Sequence, residues 1–156
     1  MRVQPLELLR EVLAHGAAPE LQRRRHLAVL HREVAREDDE ALQLLEARAV
    51  AVHETWPYFA QRFGLVVVAV VEPTPGVPPS PSYLASLIRK MRDSGIRLLI
   101  AEPYSNGSVV RQVAAQSGAT AITLIPSVGG DPEAADYLSL FDLNIKRLSS
   151  AAATVR

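Results

Sequence analysis

Apolar positions along this chain follow a helical period up to about residue 47 and gather into short runs after it. Leu6, Leu9 and Leu13 recur at helical spacing, and Gly16 stands where a C-terminal cap belongs, so residues 1–18 are expected as a short amphipathic helix. From Pro19 a longer helix is expected to run to about residue 47. It carries Leu27, Leu30, Val34, Ala41 and Leu45 on one face. The charge runs Arg23-Arg24-Arg25 and Glu37-Asp38-Asp39-Glu40 on this stretch read as a solvated face.

Beyond it, apolar runs at Ala49–Val52, Leu65–Val71, Leu98–Ala101 and Ala121–Ile125 predict strands. The second run has no alternation, which predicts a central parallel strand covered on both faces. Helical patterns follow the strands. Ser80-Pro81 is an N-cap with a first-turn proline, Leu84, Leu87, Ile88 and Met91 form the stripe behind it, and Gly95 ends it. Val109, Val110 and Val113 repeat the device before Gly118, and Asp131-Pro132 is expected to open a last helix carrying Leu138, Phe141, Ile145 and Leu148. The alternation predicts an α/β domain over residues 48–150, with a tail at 151–156. Its architecture is a four-stranded parallel sheet with helices on both faces, preceded by the long amphipathic helix. The loop Glu72–Pro81 carries five prolines and reads as a stiff connection.

With 156 residues, 48% of them hydrophobic, the chain can bury one core without disulfides, and it has no cysteine to form any. Seventeen basic and seventeen acidic residues cancel, which argues against nucleic acid as a partner. No run approaches the roughly 20 apolar residues of a membrane span, and the opening Met1-Arg2-Val3-Gln4-Pro5 does not lead into a signal-type apolar stretch.

In an open parallel sheet, ligands bind outside the carboxyl ends of the strands. There the sequence places His53-Glu54 after the first strand, Glu72-Pro73 after the second, Glu102-Pro103 after the third and Pro126-Ser127 after the fourth. Imidazole and carboxylate together suit zinc or manganese, and without thiolates a site must use such groups. Each glutamate can equally be a strand-end residue reaching water. His53 stands out because it interrupts an apolar strand at the ligand edge, although a satisfied core histidine fits the pattern too. His15, His26 and His31 lie in helical sequence without an i, i+4 pair to clamp one ion. A second reading places an anion or nucleotide at Gly129-Gly130, ahead of the last helix, without any nucleotide fingerprint to support it. A third is an interaction module that packs its long helix on another chain.

The segments His53-Glu54-Thr55-Trp56-Pro57-Tyr58-Phe59, Phe63-Gly64-Leu65, Glu72-Pro73-Thr74-Pro75-Gly76 and Ala101-Glu102-Pro103-Tyr104, in this order, resemble the second lobe of the cluster A-I metal receptors of ABC importers. Asp136-Tyr137 through Asn144 is similar to the closing helix of that family, and the resemblance spans roughly residues 20 to 150. It implies one α/β lobe of a two-lobe, non-enzymatic receptor that binds Zn2+ or Mn2+ in the cleft between lobes, in the periplasm or at the cell surface. An ABC permease and the absent first lobe would be its partners. By resemblance His53 is a metal ligand, Glu102 supports the site, and Ser127 stands where manganese-type members often carry an aspartate. Asp131 is then a candidate replacement ligand or, alternatively, a helix cap. Glu72 is expected to shape the lobe edge, and Trp56, Tyr58 and Phe59 to pack beneath the site.

Overall fold

In the computed structural model, which describes residues 47–74 and 76–154, strands and helices alternate. They run β1 (Arg48–Ala51), α1 (Pro57–Phe63), β2 (Val66–Val70), α2 (Pro81–Asp93), β3 (Leu98–Ala101), α3 (Gly107–Ser117), β4 (Thr120–Thr123) and α4 (Tyr137–Thr154). All described residues belong to a unit spanning Gln43–Arg156. The helices expected over 1–18 and 19–47, with His15, His26 and His31, lie outside the described residues but for Ala47.

The strands form a parallel sheet in the order β2-β1-β3-β4. Side chains alternate across it, as the period of two requires. Ala49 and Ala51 of β1, with Leu98 and Ile100 of β3, pack under Phe59 and Ala60 of α1 and Leu148 and Ala151 of α4. Val50 and Leu99, on the opposite face, meet Leu84, Leu87, Ile88 and Met91 of α2 and Val113 of α3. Helices therefore cover both faces, and fully buried side chains such as Leu99, Ile100 and Met91 each contribute about 1.5–3 kcal/mol.

The unbroken valine run does not occupy the centre: β1 does, and β2 pairs only with β1. Two-sided coverage explains why the run lacks alternation even so. Val67 and Val70 pack against the core under α1 and α4, and Val68 and Ala69 against the core under α2.

Helix ends follow local chemistry. Ser80 Oγ accepts from the Tyr83 N–H at 3.2 Å ahead of Pro81, and Asn106 Oδ1 accepts from Ser108 N–H at 3.1 Å to start α3. Gly118 ends α3 at φ 73°, a conformation that costs glycine nothing. The last helix begins later than Asp131-Pro132 suggested, at Tyr137. Asp136 and Ser139 set the start through a reciprocal pair: Ser139 N–H donates to Asp136 Oδ1 at 2.9 Å and Asp136 N–H to Ser139 Oγ at 3.0 Å. At its other end α4 runs through Thr154, with Ala151 and Ala152 buried, so the expected tail is largely helix.

Candidate metal centre

Strand order fixes where a ligand site can form. From β1 the chain passes through α1 to β2 on one side, and from β3 through α3 to β4 on the other, so a crevice opens between the carboxyl ends of β1 and β3. His53 follows β1 and Glu102 follows β3. Their side chains meet across that crevice, His53 Nδ1 lying 2.7 Å from Glu102 Oε2. Glu72, at the end of β2 on the other side of β1, brings its Oε2 to 3.1 Å from His53 Nε2.

The three side chains are held very differently. Glu102 has no exposed side-chain surface, and each of its oxygens has a protein donor. Trp56 Nε1–H donates to Oε1 at 2.9 Å, and the Ser105 hydroxyl donates to Oε2 at 2.8 Å. Ser105 Oγ in turn accepts the Glu102 N–H at 2.9 Å, closing a small ring of contacts at the start of the loop. A charge so buried is tolerable only when paired and hydrogen-bonded, and this one is both. His53 keeps 21% of its side-chain surface exposed and Glu72 keeps 13%, so both reach solvent. Tyr104 lies beside the imidazole, ring centroids 5.6 Å apart.

Burial pulls the His53 imidazole down, but the hydrogen bond and charge of Glu102, and then those of Glu72, outweigh it and raise its pKa above the ordinary 6.5. The protonated ring donates from both nitrogens, one to each carboxylate. When the ring is neutral it has one N–H for two carboxylates; given to Glu102, the nearer at 2.7 Å, that proton sits on Nδ1 and Nε2 is the atom able to bind a cation. A carboxylate behind the imidazole is a recurrent arrangement for metal-binding histidines, because it fixes the tautomer and raises the basicity of the other nitrogen.

The remaining candidates stand apart. Asp131 Oδ1 accepts the Glu133 N–H at 2.9 Å and its Oδ2 pairs with Arg147 Nη2 at 2.8 Å, so both oxygens are engaged away from His53. The Glu133 hydrogen bond, then the Arg147 partner, hold its pKa below the usual value. As a cap, Asp131 serves a turn ahead of α4, not the helix itself. Gly129 and Gly130 do not precede a helix, and their N–H groups are already donated to Ala134 O at 2.8 Å and Ser127 O at 3.1 Å, which removes the anion cradle. Trp56 and Phe59 are buried as expected, whereas Tyr58 is 86% exposed. Among the described residues no three His, Cys, Asp or Glu side chains converge on one point. An open depression of about 580 Å³ beside β4 and α4 contains none of the site residues.

Comparison with known proteins places this arrangement. The sequence profile of the family described as zinc-uptake complex component A, periplasmic (ZnuA), matches residues 23–151. The chain belongs to the ZnuA family.

Solved structures agree with the assignment. The ZnuA-family chain is similar to the SBP FpvC from Pseudomonas aeruginosa in complex with Mn2+, at 27% identity and a TM-score of 0.62, over 86% of this chain and 52% of that one. It is similar to a crystal structure of ZnuA at 26% identity and a TM-score of 0.57, over 84% of this chain and 50% of that one. A periplasmic metal binding protein from Candidatus Liberibacter asiaticus, 18% identical over 95% of this chain and 60% of that one, shares the fold with a TM-score of 0.59. The chain thus spans about half the length of the first two structures. No curated protein matches it.

Within this ZnuA-family domain, sequence reasoning placed His53 and Glu102 at the ligand edge but gave no partner to Trp56 and Ser105. A buried tryptophan N–H needs an acceptor, and that requirement was the signal available. Ser105 left none, because a serine three residues past a strand is common in any loop. Among the described residues no helix is long and apolar enough to cross a membrane.

Proposed function

We propose that this chain is the metal-binding half of a solute receptor for an ABC importer, taking Zn2+ or Mn2+ as cargo and catalysing no reaction. The observation that carries the reading is the 2.7 Å contact between His53 Nδ1 and a Glu102 carboxylate that has no solvent exposure. With Nδ1 engaged, Nε2, which Glu72 Oε2 approaches to 3.1 Å, is the nitrogen left to a ligand at the crevice where α/β sheets bind them. His53 is the ligand and Glu102 the group that orients it. Trp56 and Ser105 hold Glu102 in place.

A single imidazole is a small part of a tetrahedral or octahedral shell. Further ligands come from a first lobe, matching the half-length coverage of the solved relatives. The receptor delivers its ion to a permease of the same system in the periplasm or at the cell surface, and nucleic acid has no part in it. Calorimetric titration with Zn2+ and with Mn2+, comparing the chain with its His53→Ala variant, tests the reading. Loss of binding in the variant supports it, and unchanged binding overturns it.

A further inference from the structure

We propose, resting on the receptor reading above, that Glu72 is a second metal ligand at this site. Its backbone is fixed: the Glu72 N–H donates to Val52 O at 2.9 Å, extending the β1–β2 pairing past the end of the strands, so its side chain starts beside His53. The two glutamates on either side of the imidazole differ in the way that separates a ligand from its support. Glu102 engages both oxygens with protein donors and is fully buried. Glu72 reaches solvent, and among the described residues its only hydrogen-bond or ion-pair partner is His53. One of its oxygens therefore accepts no donor among the described residues.

The pairing is also one in which a cation can take the place of the ring proton. With Nδ1–H given to Glu102, a neutral imidazole presents an acceptor at Nε2, and 3.1 Å away stands another acceptor, Glu72 Oε2. Two facing acceptors repel, and either a proton on Nε2 or a metal ion in its place relieves them. Zinc bonds of about 2.0–2.2 Å to nitrogen and oxygen put two ligand atoms of a tetrahedral shell about 3.3–3.6 Å apart, a few tenths of an ångström more than the 3.1 Å already present. To bind an ion there, the glutamate must give up its contact with Nε2 and turn its carboxylate off the axis of the ring nitrogen. Nitrogen with one carboxylate oxygen is a donor pair that zinc and manganese both accept.

The test is titration of the chain with Zn2+ alone, followed by calorimetry, with Co2+ absorption as a second readout. Glu72→Gln is expected to weaken Zn2+ on the order of tenfold or more and to change the Co2+ d–d bands. Glu72→His, which keeps a ligand atom at the position, is expected to bind within about tenfold of the parent chain. Thermal melts establish that each variant is folded. Affinity that is unchanged or raised in Glu72→Gln overturns the inference, because Glu72 would then only cap the imidazole and compete with the ion. If the parent chain and His53→Ala bind Zn2+ alike, the receptor reading itself fails and this inference falls with it.

Discussion

The Nδ1 atom of His53 and the Oε2 atom of Glu102 lie 2.7 Å apart although 49 positions separate the residues in the chain. The contact joins the ends of two adjacent strands, and Trp56 and Ser105 hold Glu102 from behind. Replacing Glu102 by Gln removes the charge behind the imidazole and leaves a side chain of similar shape. Metal affinity is expected to fall about 10–100-fold, the usual cost of losing a carboxylate behind a metal-binding histidine. Glu102→Ala goes further, leaving the Trp56 N–H and Ser105 hydroxyl without their acceptor, and is expected to destabilise the fold by about 2–3 kcal/mol. Urea unfolding measures the second effect, and calorimetry the first.

The raised pKa of His53 gives the site a pH dependence of definite sign. A proton and a metal ion compete for Nε2, so affinity rises with pH and levels off above the raised folded value. Below it, each ion bound displaces up to one proton. Without metal the linkage runs the other way. A folded pKa above the unfolded one stabilises the fold fully below about 6.5, the unfolded value, and that contribution is lost as pH rises through the folded value. Following the His53 ring proton by NMR gives the midpoint. It is expected to move down in Glu102→Gln, and a midpoint that does not move contradicts the assigned cause.

His53 and Glu102 were legible from the sequence because strand ends are predictable from apolar runs, and ligands gather at strand ends. Their mutual contact was not legible, because it depends on strand order. The valine run of β2 looked central, and only the sheet shows that β1 lies between β2 and β3 and carries His53 between two carboxylates. The same ordering turned Glu72 from a loop-edge residue into a neighbour of the imidazole. Asp131-Pro132 misled for a local reason: aspartate before proline caps turns as readily as helices, and here the Asp136–Ser139 pair starts the helix instead.

Asp131 provides a contrast within the same protein. Its carboxylate is committed to the Glu133 N–H and the Arg147 guanidinium, so removing its charge should not touch the metal. Asp131→Asn is expected to leave Zn2+ affinity within about twofold of the parent, a difference of less than about 0.5 kcal/mol. A loss of tenfold or more would return Asp131 to the ligand set.

The last strand is held at its end by a side chain. Ile125 leaves the ladder that β3 and β4 share, and Asn144 of α4 supplies both missing partners. Its Oδ1 accepts the Ile125 N–H at 2.8 Å and its Nδ2–H donates to Ile125 O at 2.8 Å, so a buried amide completes the pairing that another strand would give. Asn144→Ala strands a buried donor and a buried acceptor at once and is expected to cost about 2–3 kcal/mol by urea unfolding. Asn144→Leu fills the space but leaves the same two groups unpaired, so it should recover little of the loss. Recovery to near parental stability in the leucine variant would show that packing, not hydrogen bonding, is what Asn144 supplies. Hydrogen exchange separates the two accounts, since the Ile125 amide should lose protection in both variants if the hydrogen bonds dominate.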